Sequence, residues 1–192
     1  DVVKCGDKIA INQCSMGMDA EVCAKQSSFK KLPLVNGEMA YFLAAIEALF
    51  KKLGHNFTIK IDDNEPFEDN VLFCVAGNSR WYGGGFMAAP LAWPDDGKLD
   101  FVIVRLDRGR LRLASLLQKY KKGQHLGLPM TKYINGSRLE IHSDVPAAVN
   151  IDGECEYVND AVFEIVPKAI KFVVPQFSEF HKGRAEREAA RK

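Results

Sequence analysis

Two acidic turns in a largely apolar, β-rich chain are the places where this sequence could do chemistry. Asp95-Asp96-Gly97-Lys98-Leu99-Asp100 follows the glycine run Gly83-Gly84-Gly85, and Asp152-Gly153-Glu154 comes later. A carboxylate such as Asp96, joined by carbonyls that a turn points inward, suits a hard cation, Mg²⁺ or Ca²⁺, because both favour oxygen ligands. Ile151 is apolar and expected to be buried, so the second turn would lift Asp152 and Glu154 off the rim of a packed sheet. Carboxylates placed there can accept a proton from a substrate hydroxyl or hold a metal against a phosphate. Both turns also have an architectural reading, since Asp and Gly are favoured turn residues and Asp-Gly between β segments signals a hairpin. The three glycines match neither the dinucleotide nor the phosphate-loop pattern. They fit a close backbone approach or a β-bulge.

Other chemistries find less support. His55, His125, His142 and His181 are dispersed, as surface or internally satisfied histidines would be, and no Gly-x-Ser-x-Gly elbow occurs. The five cysteines, Cys5, Cys14, Cys23, Cys74 and Cys155, are odd in number and lack the short paired spacing of a zinc site. Cys74 and Cys14 lie in apolar, strand-like runs, so the cysteines read as buried, reduced thiols rather than disulfides or metal ligands, which suggests a cytoplasmic protein. The composition is 47% hydrophobic and 27% charged with a formal net charge of +1, so the basic excess of a nucleic-acid binder is missing. Arg105, Arg108, Arg110, Lys119, Lys121 and Lys122 form a basic run that reads most simply as helix surface, with a role near anionic lipid headgroups left open. No apolar run reaches the ~18 residues of a membrane span. Opening on Asp1 rather than Met suggests a piece of something longer.

The elements that must position these turns are mostly strands. Lys8–Cys14 reads as a short strand leading into Ser15-Met16-Gly17, and Asp19–Lys31 has helical composition. Gly37–Leu53 is the clearest helix, with Met39, Phe42, Leu43, Ile46, Phe50 and Leu53 at three- and four-residue steps, Asn36 as N-cap and Gly54 as its stop. From Asn56 onward β segments follow at Phe57–Ile61, Asn70–Ala76, Trp81–Ala88, Leu99–Leu106, Arg138–His142, Ala147–Ile151, Ala161–Ile165 and Ala169–Val174, with one helix at Gly109–Lys122. Such spacing predicts a mainly β (α+β) fold, a two-layer β-sandwich or barrel with a few flanking helices. Residues 1–175 would form one domain, and the charged segment 176–192 a solvated helix or frayed tail.

Taken in order, Asn78, Gly83-Gly84-Gly85, Asp96-Gly97-Lys98-Leu99-Asp100, Gly123-Gln124-His125 and Asp152-Gly153-Glu154 resemble the C-terminal domain of the bacterial diacylglycerol kinase and sphingosine kinase-like lipid kinase family. Asn12-Gln13-Cys14-Ser15-Met16-Gly17-Met18-Asp19-Ala20 resembles the Asn-x-x-x-x-Gly-x-Asp-Ala segment with which that domain begins. The resemblance implies a lipid-binding β-sandwich that follows an N-terminal α/β domain carrying Gly-Gly-Asp-Gly-Thr for ATP, a motif this sequence lacks. It implies in-line transfer of a γ-phosphoryl group to a lipid hydroxyl, with Asp152, Gly153 and Glu154 facing the ATP phosphates. One of the two acids would be the proton acceptor, with Glu154 slightly favoured over Asp152. It also implies a Mg²⁺ site made by the Asp96 carboxylate and the carbonyls of Trp93 and Lys98. Leu91-Ala92-Trp93 is more apolar than a pure metal loop needs, which leaves open that the site is degenerate or that Trp93 meets lipid or membrane. The expected partners are a lipid substrate, ATP, the missing N-terminal domain and a peripheral membrane contact, without nucleic acid. The isolated chain would be inactive. The competing reading is a catalytically inactive lipid- or protein-binding β domain of the same fold, which would have no need of both acids.

Overall fold

The computed structural model describes residues 1–29, 54–82, 85–106 and 110–190. The strands are β1 (Val2–Cys5), β2 (Lys8–Ala10), β3 (Gln13–Gly17), β4 (His55–Ile61), β5 (Phe67–Gly77), β6 (Leu99–Arg105), β7 (Thr131–Gly136), β8 (Arg138–Ile151) and β9 (Glu154–Val166). The helices are α1 (Met18–Phe29), α2 (Arg110–Lys121) and α3 (Glu179–Ala190). The predicted helix Gly37–Leu53 lies outside the described residues.

All pairings are antiparallel, in the order β2-β1-β9-β8-β3-β5-β6-β7, with β4 also paired to β5 and β8. Strands β3 and β4 share one slot: β3 lies along Phe73–Gly77 of β5, and β4 continues along Phe67–Val71. The sheet folds back on itself into a sandwich, because β7 on one edge passes to the central β8 through Ser137 alone. The Asp62 carboxylate fixes that corner by accepting hydrogen bonds from Ser137 N at 2.9 Å and Arg138 N at 2.8 Å.

Side chains from both layers meet in an apolar interior that includes Met16, Phe57, Phe101, Leu139, Val149 and Phe163. Burying one such Phe contributes roughly 1.5–3 kcal/mol. A second apolar layer covers the outer face of β5 and β6, where Leu72, Phe73, Val75, Val102 and Val104 meet Leu113, Leu116 and Tyr120 of α2. These two strands are therefore buried on both faces, which is why their sequences run apolar without alternation. Strand β4, with one face outward, alternates.

The mainly β sandwich with flanking helices is as the sequence predicts; several boundaries are not. Lys8–Cys14 is broken into β2 and β3 at Ile11-Asn12. Arg138–His142 and Ala147–Ile151 fuse into one strand whose register shifts between His142 and Ala147, around Pro146, which has no N–H for a regular ladder. The described residues of Trp81–Ala88 form no strand, Gly83 and Gly84 lying outside them; Tyr82 and Phe86 make an isolated antiparallel bridge, and Gly85 has φ +100°. Ala169–Val174 also forms no strand, because β propensity alone does not replace a paired edge. Strands β1 and β7, which the sequence did not single out, occupy or flank the sheet edges. Helix α3 is more than a solvated tail: Phe180 stacks on Trp93 with ring centroids 5.2 Å apart, and Gly183 also lies against the Trp93 ring.

Candidate functional site

Asp152 and Gly153 are the two loop residues of the β8–β9 hairpin, with Ile151 paired to Glu154 across it. Both loop residues have positive φ, +47° and +102°, as a type I′ turn requires and as Asp-Gly permits. Gly153 N donates to Asn150 Oδ1 at 2.7 Å, closing the turn. Ile151 is buried as expected. The two acids of the turn then face different surroundings.

The Asp152 carboxylate accepts three successive backbone N–H groups: Ile11 at 2.5 Å, Asn12 at 3.0 Å and Gln13 at 3.0 Å. Such a run of amides is an anion-binding concavity, and here the anion is the protein's own side chain. That contact bends the chain between β2 and β3. Glu154 is exposed, and its side chain makes no hydrogen bond or ion pair among the described residues. Beside it, Lys8 pairs with Glu156 at 2.7 Å, and that hydrogen bond, with weaker attraction from Glu156 and Glu154, raises the pKa of Lys8.

The early Asn-x-x-x-x-Gly-x-Asp-Ala segment holds this turn from behind. Asn12 O accepts from Asn78 N at 2.9 Å and Ser79 N at 3.1 Å. Gly17 has φ +104°, and a Cβ there would lie 2.8 Å from Leu72 O, so only glycine lets β3 pass β5 and enter α1. Asp19, 3% exposed, accepts from Ser15 Oγ at 2.7 Å and from Tyr82 Oη, while Tyr82 Oη lies 3.2 Å from Tyr120 Oη. Burial first, and the Asp19 charge second, push the Tyr120 phenol well above its ordinary pKa. Residue spacing gave no sign that Ser15, Tyr82 and Tyr120 would converge on Asp19; only the motif position of Asp19 was legible.

The Asp96 loop is anchored on several sides. Lys98 N donates to Asp96 Oδ1 at 3.0 Å, Gly97 N to Asp1 Oδ2 at 2.7 Å, and Arg184 of α3 pairs with Asp95 at 3.3 Å. Trp93 is 7% exposed, with the Arg80 guanidinium 5.3 Å from the centroid of its ring and Phe180 stacked on it. Among the described residues no group of three or more His, Cys, Asp and Glu side chains could hold a metal. A cation here would therefore depend on at most two carboxylates together with backbone carbonyls, a hard-oxygen set that fits Mg²⁺. The two predicted turns are linked through Asn78, whose Nδ2 donates to Ile11 O at 2.8 Å and Asp1 O at 3.0 Å. Asp152 holds Ile11 at one end of that link, and Asp1 holds Gly97 at the other.

Gly123-Gln124-His125 has a supporting place. His125 is fully buried, with Nε2 3.0 Å from Ala88 O and its ring edge-on to Tyr120, so it ties the end of α2 to the loop after Phe86. Burial lowers its pKa to about 4, against a smaller opposing effect of the Ala88 hydrogen bond. An open groove of about 470 Å³ runs along β4 past Thr58, Glu68, Asn70, His142 and Asp144. Its polar lining does not suit a lipid chain.

The family model described as the YegS C-terminal NAD kinase beta sandwich-like domain matches residues 12–174. The chain belongs to this family. It is 28% identical over 177 residues to a "probable lipid kinase YegS-like" of Shewanella frigidimarina, covering 91% of this chain and 55% of that protein. It is 28% identical over 142 residues to a diacylglycerol kinase of Mycobacterium tuberculosis, covering 73% of this chain and 45% of that one. The chain thus spans about half the length of these relatives. A crystal structure of a "putative diacylglycerol kinase" from Bacillus anthracis shares the fold, with a TM-score of 0.65 at 20% identity, over 86% of this chain and 53% of that one. The YegS match begins at Asn12, the first residue of the early motif, and extends beyond the Asp152 turn.

Proposed function

We propose that this chain is the acceptor-side half of an ATP-dependent lipid kinase, in which Glu154 accepts the proton of a lipid hydroxyl and Asp152 builds the turn that presents it. The observation that carries the reading is the division of labour within the turn: three backbone N–H groups engage the Asp152 carboxylate, while Glu154 stands exposed at the hairpin tip. A general base must be able to reach its substrate proton. The names of the relatives and the family membership support the phosphoryl-transfer class. Ile9 and Ile11 are about half exposed beside the turn and offer apolar surface to an approaching lipid at a membrane face.

In this reading an N-terminal domain holds ATP, and this chain brings the acceptor hydroxyl into line with the γ-phosphoryl group. Catalysis then comes from positioning and charge stabilisation. Glu154 takes the hydroxyl proton as the oxygen attacks. Asp152 holds the β2–β3 bend against the hairpin, and Gly153 permits the turn. Asp96, with the carbonyls of Trp93 and Lys98, would hold Mg²⁺, which supplies positive charge when bound. Residues 1–175 act as the sandwich domain, with 176–192 appended.

The test is labelled phosphate transfer from ATP to a lipid panel by the complete parent protein, by its Glu154→Gln and Asp152→Asn variants, and by the isolated chain. Loss of a general base lowers the rate ~10²–10⁴-fold, so that is the expected effect of Glu154→Gln. Full activity in Glu154→Gln removes its role, and transfer by the isolated chain overturns the half-kinase reading.

A further inference from the structure

We propose that Cys23 and Cys155 are a reversible thiol–disulfide pair that latches α1 to the Asp152-Gly153 turn. Cys23 Sγ on α1 lies 3.7 Å from Gly153 O, and Cys155 Sγ on β9 lies 4.0 Å from the same oxygen and 3.6 Å from Ala20 O. Two sulfurs from separate elements therefore converge on one carbonyl of the turn. Both are partly exposed, whereas Cys14 and Cys74 are sealed in the core and their thiol pKa values are raised chiefly by burial. Cys23 and Cys155 can thus meet a small oxidant that the core thiols cannot.

Interaction with the Cys23 side chain, then burial, raise the pKa of Cys155, with smaller contributions from the Cys23 and Asp19 charges. Either sulfur can take the first step; with Cys23 first, Cys155 resolves it. With hydrogen peroxide as oxidant, Cys23 loses its proton to water and its thiolate attacks one peroxide oxygen. The S–O bond forms, the O–O bond breaks, and hydroxide leaves to be protonated, giving a sulfenic acid on Cys23. The Cys155 sulfur then attacks the Cys23 sulfur, the S–S bond forms, the S–O bond breaks, and hydroxide leaves as water with the Cys155 proton. Two thiols and one peroxide give one disulfide and two waters. A dithiol returns the two electrons and reopens the pair.

The disulfide would replace soft S–H contacts with a covalent tie between α1, which carries Asp19, and the strand that begins with Glu154. Exchangeable disulfides of this kind act as sensors in reducing surroundings. The latch stands independently of the phosphoryl-transfer reading. To test it, the full chain is treated with hydrogen peroxide, remaining thiols are alkylated, and the digest is mapped by mass spectrometry. Hydrogen exchange of the oxidised and reduced forms is measured alongside. The expected result is a Cys23–Cys155 cross-linked peptide that dithiothreitol abolishes. It is lost in both Cys23→Ser and Cys155→Ser but kept in Cys5→Ser, and oxidation slows exchange at Gly153–Cys155. Separate sulfinic acids on Cys23 and Cys155, a cross-link between other cysteines, or unchanged exchange in the oxidised form would overturn the proposal.

Discussion

Replacing Asp152 by Asn separates the architectural from the chemical role of the Asp152-Gly153-Glu154 turn. Asn tolerates the left-handed backbone that this position adopts at φ +47°, so the substitution removes charge and acceptor capacity without adding backbone strain. A carboxylate offers both oxygens to the N–H groups of Ile11, Asn12 and Gln13, whereas an amide offers one and turns N–H groups toward the rest. Each hydrogen bond to a charged group is worth roughly 1.5–3 kcal/mol, but at an exposed turn water replaces much of what is lost. The expected net destabilisation is about 2 kcal/mol, which for a chain of this size lowers Tm by ~4–8 °C. Thermal unfolding of the parent and variant, with labelled phosphate transfer measured well below either Tm, reads both consequences. The expected pattern is a lowered Tm with substantial activity for Asp152→Asn, and an unchanged Tm with activity reduced ~10²–10⁴-fold for Glu154→Gln. An unchanged Tm with activity lost in Asp152→Asn would refute the assignment and make Asp152 the proton acceptor.

His125 has a pKa lowered from 6.5 to about 4, so the native state favours the neutral ring. Its contribution is full above pH 6.5 and is lost as pH falls toward 4, by up to ~3 kcal/mol; denaturant unfolding across that range should show the loss in the parent and not in His125→Gln. Gly17→Ala combines positive φ with a Cβ 2.8 Å from Leu72 O and should cost at least ~2 kcal/mol, read as a lower denaturation midpoint; an unchanged midpoint would show that β3 shifts freely. The buried Gln13 amide has no hydrogen-bond partner for either polar atom among the described residues, so Gln13→Met should stabilise by about 1 kcal/mol, and destabilisation would point to a bound water. Asp96→Asn in the complete protein should weaken Mg²⁺ binding in a calorimetric titration, and equal affinity in mutant and parent would remove the Asp96 site.

By itself the sequence determined the local geometry of the hairpin and the class of the fold. Asp-Gly between apolar β segments specifies a type I′ turn because only residues that tolerate positive φ can occupy it, and Asp152 and Gly153 do. Alternation in Phe57–Ile61 and the continuous apolar runs at Asn70–Ala76 and Leu99–Leu106 gave strands, since burial on one face or two leaves that imprint. The motif order also pointed to the family that the match over residues 12–174 shows. Tertiary structure alone decided how Asp152 and Glu154 differ, because the N–H groups that occupy Asp152 come from a bend far earlier in the chain. It likewise decided that Trp93 is covered by Phe180, that Asp19 gathers Ser15 and Tyr82, and that Cys23 meets Cys155 over Gly153. Spacing cannot encode such contacts: residues distant in sequence become neighbours only when strand order and sheet closure are set, and those follow from burying the whole apolar surface at once.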